Sequence, residues 1–254
     1  MKTNIKSFLI GLAAGCFAGL AGLGGGILMV PLLTHILKLS QHRAHGTSLV
    51  AIVFTGLSGA ITYALKGAVD FTAAVLLAAT AVFTARAGAR YAHVLPAWKL
   101  RKYFGILLLI CSLMLLFKPY LTVGSGSVSG YAKVLIFLIT GLGSGFISGI
   151  LGAGGGIIMV PVMVLLTGFS QHVAQGTSLL VMVPAGATGA ATHWRLGNVT
   201  REILIGLIPG IFLGTFLGGN FAHLLPDSIL RTIFAAVTIW LGWRYARTKD
   251  PESG

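Results

Sequence analysis

The sequence predicts an all-α polytopic membrane protein built from two tandem repeats that run inverted to each other. Three observations predict it. Hydrophobic residues make up 56% of the chain and charged residues 9%, with a mean hydropathy of +0.91, a balance that belongs to integral membrane proteins. The stretch GLGGGILMVP at 22–31 returns as GAGGGIIMVP at 152–161, identical at eight of ten positions. A second signature follows each copy, SQHRAHGTSL at 40–49 and SQHVAQGTSL at 170–179.

A shift of 130 residues aligns the halves without a gap from Gly11/Gly141 to Arg101/Arg231 and pairs AHVLP at 92–96 with AHLLP at 222–226. A duplication of this length sets the organisation of the chain: a first transmembrane repeat over 1–121, a Gly/Ser-rich linker over 122–130, and a second repeat over 131–254 that ends in a short cytoplasmic tail.

Apolar segments run at about 7–37, 44–65, 71–92 and 98–117, then about 134–168, 174–194, 202–223 and 229–243. Six of the eight are close to the roughly 20 residues that span a bilayer as helix. The first of each half is too long for one crossing and too short for two: as straight helix, 7–37 would extend about 46 Å against a hydrocarbon core of about 30 Å. Gly22 and Gly24 to Gly26 offer the break, because glycine adopts the backbone angles that end a helix. The expected element is a glycine-broken hairpin followed by three transmembrane helices, in each half. Before the break, Gly11, Gly15 and Gly19 form a smooth stripe that another helix can approach closely.

Charge separates two topologies. If 7–37 crosses once as a bent helix, the Lys and Arg residues divide 10 to 8 between the two sides. If it folds back, fourteen gather on one side and only Lys66, Lys118, Lys133 and Arg231 remain on the other. The second split obeys the positive-inside rule with both termini cytoplasmic. Three crossings per half also make the repeats inverted, a common plan in secondary transporters.

The net charge of +13 does not indicate nucleic acid, since the basic residues lie between apolar runs and form no basic face; loops facing anionic headgroups account for them. Asp70, Glu202, Asp227, Asp250 and Glu252 all fall at segment ends or in the tail. Cation carriers keep carboxylates in the interior, so a small anion is the natural cargo. Helices starting at Ile27 and Ile157 would turn unpaired amides and positive dipole ends toward the breaks. The expected substrate site is therefore Gly24, Gly25, Gly26, Gly154, Gly155 and Gly156, assisted by the hydroxyls of Thr47, Ser48, Thr177 and Ser178. The alternative for the glycines is close packing alone, and for the hydroxyls bonding to their own helix.

Other chemistry is poorly supported. His42 and His45 lie three apart, but His45 is matched by Gln175 and no carboxylate is close in sequence, so neither a metal nor another cofactor is expected. His42 and His172 read as helix-start residues at the membrane boundary, with proton coupling as a lesser alternative. Arg86 and Arg90 have Phe216 and Asn220 as repeat partners and are expected to snorkel to headgroups. GLGGG lacks the Lys-Ser/Thr of a phosphate loop.

With both motifs present twice at one spacing, the sequence resembles the TauE/SafE family of sulfite exporters over about residues 5–245. The resemblance implies a multi-pass transporter of the plasma (inner) membrane and not an enzyme. Its implied partners are the lipid bilayer and a sulfur oxyanion or organosulfonate such as sulfite, thiosulfate or sulfoacetate. A passive anion channel and a membrane-embedded, histidine-dependent enzyme are the competing classes.

Overall fold

The computed structural model describes residues 2–91, 130–152 and 154–247, with scattered residues between 98 and 116. The AHVLP stretch at 92–96, most of the segment at 98–117, the linker at 122–129 and the tail beyond Arg247 lie outside the described residues.

Among the described residues all regular structure is helical. The elements are α1 (Lys2–Ala21), α2 (Gly26–Ile36), α3 (Gln41–Ala64), α4 (Phe71–Tyr91), α5 (Tyr131–Leu151), α6 (Gly156–Leu166), α7 (Gln171–Arg195), α8 (Arg201–Ala222) and α9 (Asp227–Ala246). Five of them, α1, α3, α4, α5 and α8, are long and apolar enough to cross a membrane. Their outer faces carry exposed Leu9, Val75, Phe83, Ile139 and Ile205, which is where hydrocarbon replaces water as solvent.

Each long apolar segment is broken where the glycines cluster. The chain leaves α1 at Ala21 and re-enters helix at Gly26; it leaves α5 at Leu151 and re-enters at Gly156. Both second helices start one residue earlier than expected, and each has only 11 residues, about 16 Å of helix or half a hydrocarbon core. The first helix is longer than its apolar run, because α1 continues outward through the exposed residues Thr3 to Lys6. Past the break the chain turns back: Gly25 lies against Ala14 and Ala18 of α1, and Gly155 lies against Ser144 of α5. Met29, Val30 and Leu33 of α2 accordingly share a buried cluster with Ile10 and Ala14. Pro31 and Pro161 sit in the second turn of these short helices. Each removes one intrahelical bond there.

Small residues set the pairings. Gly11, Gly15 and Gly19 of α1 meet Leu207, Ile211 and Thr215 of α8, whose own Gly206, Gly210, Gly214 and Gly218 face α1 in return. Both sequences advance together, so α1 and α8 run parallel. Gly141, Gly145 and Gly149 of α5 meet Leu77, Ala81 and Ala85 of α4 in the same sense. In the centre α3 crosses α7 the other way: Gly56 and Gly59 face Leu179, while Gly189 faces Leu49. Those close approaches depend on hydrogen as the side chain, since a Cβ on Gly15 would lie 2.5 Å from the Ile211 carbonyl oxygen.

Candidate functional site

The two breaks meet at the middle of the molecule. Gly22, Gly24 and Gly25 have φ of 67°, 80° and 71°, and Gly152 and Gly154 have 60° and 78°. These left-handed angles cost an L-residue about 1–2 kcal/mol each, which is why glycine occupies them. A Cβ built on Gly24 would lie 3.5 Å from the Gly154 Cα, and one built on Gly156 would strike the Gly22 carbonyl oxygen. The two backbones are thus in direct contact.

Helices α2 and α6 begin at this contact. Leu28 and Met29 donate their amides to the Gly25 carbonyl at 3.1 and 2.9 Å, and Ile158 and Met159 donate to that of Gly155 at 3.1 and 3.2 Å. Neither helix has a side-chain cap, so the first-turn amides ahead of those bonds and the positive end of each dipole face the break.

The second signature delivers its hydroxyls to both the breaks and the loops. Ser48 Oγ lies 2.9 Å from the Gly152 carbonyl oxygen, and Ser178 Oγ lies 2.9 Å from that of Gly22. Each half thereby touches the other half's break, while the same two hydroxyls also reach the His45 and Gln175 carbonyls of their own helices at 2.9 and 2.8 Å, the bonding expected as the alternative. Thr47 and Thr177 are turned elsewhere. Thr47 Oγ1 accepts the Thr200 amide at 3.0 Å and Thr177 Oγ1 accepts the Asp70 amide at 2.9 Å, fastening the loops that lead into α8 and α4. All four hydroxyl side chains are fully buried. The structure therefore brings Gly24, Gly154 and Gly156 together across the breaks with Ser48 and Ser178 beside them, while Gly25 and Gly155 pack on α1 and α5 and the two threonines turn to the loops.

Three residues of this region do not stand out in the sequence. Met182 covers the meeting point, its sulfur 2.6 Å from where a Gly24 Cβ would be and its methyl 2.5 Å from that of Gly156. Gln175 lies on Gly22, as its repeat partner His45 lies on Gly152. His45 Nδ1 donates to the Leu151 carbonyl at 2.6 Å. Gln175 Oε1 is 2.9 Å from Tyr63 Oη, which is also 2.8 Å from the Gly19 carbonyl oxygen. The Gln175 amide nitrogen is buried with no protein partner. Whichever way that amide is turned, one polar end is buried without a protein partner, which is what a bound water or polar ligand would relieve. The replacement of His45 by Gln175 between otherwise matching signatures is the one signal in the sequence that marks this pair.

Electrostatics around the breaks follow from which residues are missing. Among the described residues no Asp or Glu is buried; Asp70, Glu202 and Asp227 all sit at helix starts. Nor do three His, Cys, Asp or Glu side chains group there in a way that would hold a metal. Arg86 and Arg90 near the end of α4 and Arg195 at the end of α7 line an open recess of about 230 Å³ with Thr192 and Leu196. Three guanidinium groups make the mouth of that recess electropositive.

The description "Sulfite exporter TauE/SafE" matches residues 7–245. A "Probable membrane transporter protein YunE" from Bacillus subtilis (strain 168) is 28% identical, covering 92% of this chain and 94% of its own. A "Probable membrane transporter protein" from Xylella fastidiosa (strain 9a5c) is 29% identical over 95% of this chain and 97% of its own. Its counterpart in strain Temecula1 is 30% identical at the same coverage. No solved structure matches.

Proposed function

The chain belongs to the sulfite exporter TauE/SafE family of membrane transporters, and from that premise we propose that it carries small anions by alternating access between two inverted repeats. Sulfur oxyanions and organosulfonates such as sulfite, thiosulfate and sulfoacetate are the proposed cargo. The observation that carries the reading is the meeting of two uncapped helix N-termini, at Gly24–Gly26 and Gly154–Gly156, in an interior without buried carboxylates among the described residues. Backbone amides and dipole ends stabilise an anion there without the desolvation cost of a buried cation. Ser48 and Ser178 lie at hydrogen-bonding distance from the break carbonyls and would contribute when those carbonyls shift.

The antiparallel crossing of the equivalent helices α3 and α7 supports the inverted arrangement, because a two-fold axis in the membrane plane reverses the direction of each element. Close packing of Met182 over the breaks supports a carrier that must open, rather than a standing channel. Both termini are proposed to face the cytoplasm from the plasma (inner) membrane, with Arg86, Arg90 and Arg195 on the same side.

Counter-flow in proteoliposomes tests the reading. Preloaded unlabelled anion is expected to drive saturable uptake of labelled sulfite, thiosulfate or sulfoacetate. Flux that rises linearly with concentration would point to a channel, and no exchange of any of the three would overturn the proposal.

A further inference from the structure

On the face where α7 begins, His172 is held by two other elements. Its Nδ1 lies 2.5 Å from Asp227 Oδ1 at the start of α9, and its Nε2 lies 3.2 Å from the Ala222 carbonyl oxygen at the end of α8. Both partners are acceptors. A neutral imidazole has one N–H and can satisfy only one of them; an imidazolium has two and satisfies both. The surroundings of His172 are therefore built for its protonated form, paired with a carboxylate.

The neighbouring His223 is built the opposite way. Its Nδ1 donates to the Gly219 carbonyl at 2.8 Å, and its Nε2 is buried with no partner, the pattern of a neutral ring. Burial pushes the His223 imidazole below its ordinary value, aided by repulsion from His172 and Lys66 and opposed by the Gly219 bond. The two rings lie 5.1 Å apart.

This pair has access to water on one side and to the breaks on the other. Asp227 is 46% exposed and lines a recess of about 300 Å³ with Ser170, Gln171 and Arg231. Gln171 is 2% exposed, yet its amide oxygen and nitrogen have no protein partner, so the recess asks for water. Inward, His223 meets Tyr63 edge to face at 4.5 Å, and Tyr63 Oη reaches Gly19 and Gln175 beside the first break. The charged and titratable groups around His172 are Asp227 and Arg231 of α9, His223 after α8, and Tyr63 and Lys66 in and after α3. Only the second half is equipped: position 97, the repeat partner of Asp227, is alanine.

We propose that His172, paired with Asp227, is the proton-binding site that couples anion movement to a proton, with the loaded site drawing the starts of α7 and α9 and the end of α8 together. The proton arrives through the Gln171 recess, occupies the second ring nitrogen and leaves inward, past His223 and Tyr63 toward the breaks and the opposite side of the membrane. The coupling role rests on the anion-transport reading; the proton site does not.

The test has two arms on the full-length protein. In detergent, thermal unfolding of the wild type is followed between pH 5.5 and 8. An imidazolium at His172 satisfies both acceptors and a neutral ring only one, so His172→Gln and Asp227→Asn should each remove a part of the pH dependence that His42→Gln retains. Equal pH dependence in all four proteins would overturn the site. In proteoliposomes, a pH difference should drive wild-type accumulation of labelled sulfite, and His172→Gln should lower it tenfold or more. Accumulation that ignores the pH difference, or that survives in His172→Gln, would overturn the coupling. An intact pH signature in detergent alongside no anion exchange at all would keep the proton site and remove the transport reading instead.

Discussion

Replacing Gly25 and Gly155 singly by alanine probes the breaks with the least added bulk. The two occupy equivalent positions 130 residues apart, yet their backbones differ. Gly25 has φ 71° in the left-handed region, whereas Gly155 has φ −78° and ψ −7°, an ordinary helical setting. Alanine at Gly25 costs about 1–2 kcal/mol in backbone strain. Its Cβ would also lie 3.0 Å from the Ala14 carbonyl oxygen and 3.1 Å from the Ala18 Cβ, on a helix that cannot yield easily. Alanine at Gly155 carries no such strain and gains about 0.4–1 kcal/mol by restricting the unfolded chain. Its nearest neighbour is the Met159 methyl at 2.5 Å, the end of a flexible side chain, and the Ser144 Cβ and carbonyl oxygen follow at 3.1 and 3.3 Å, contacts close to those at Gly25, so backbone angle is what separates the two sites. The expected difference between the two variants is about 1.5–3 kcal/mol, from strain and chain entropy together. Thermal unfolding in detergent should place Gly25→Ala several degrees below Gly155→Ala. Sulfite counter-flow normalised to inserted protein should be lost in Gly25→Ala and largely retained in Gly155→Ala. An equal loss in both, or a larger loss in Gly155→Ala, would refute the argument that backbone angle decides tolerance at the breaks.

Three further outcomes are expected. Ser48→Ala and Ser178→Ala should each destabilise the protein by about 1–3 kcal/mol, because each removes a buried hydroxyl shared between a break carbonyl and a carbonyl of its own helix, and thermal melts should show costs of similar size for the two. Neutralising the mouth with Arg86→Gln, Arg90→Gln and Arg195→Gln together should raise the KM for sulfite presented from that side several-fold at low ionic strength. The difference should shrink above about 0.5 M salt, as screening removes the attraction. In a cysteine-free background, a cysteine replacing the exposed Tyr131 should react with an impermeant maleimide from the side opposite to one replacing Lys6; labelling from the same side would reject three crossings per half.

Much of this architecture is legible without coordinates because it is local or compositional. Apolar length marks the spanning helices, and glycine clusters mark the breaks, since backbone freedom at Gly24 and Gly154 is a property of the residue itself. Exact ends were harder: α1 extends through Thr3 to Lys6, residues whose polarity conceals a helix continuing past the apolar run. The hydroxyls divide in the same way. Ser48 and Ser178 lie against the Gly152 and Gly22 carbonyls, while the turn of the helix aims Thr47 and Thr177 at the loop amides of Thr200 and Asp70.

By itself, the sequence determined that this is a helical membrane protein, duplicated, with two interrupted segments and few acids. Composition, periodicity and glycine content act residue by residue or within one helix. Only the tertiary structure decided what meets at the interruptions and at the far corner. Met182 over the glycines, Gln175 beside Tyr63 and His172 against Asp227 are contacts between distant parts of the chain. The first two exist because α3 and α7 cross antiparallel and bring both halves to one axis, the third because α9 starts beside the start of α7, and no local pattern encodes the register of either meeting.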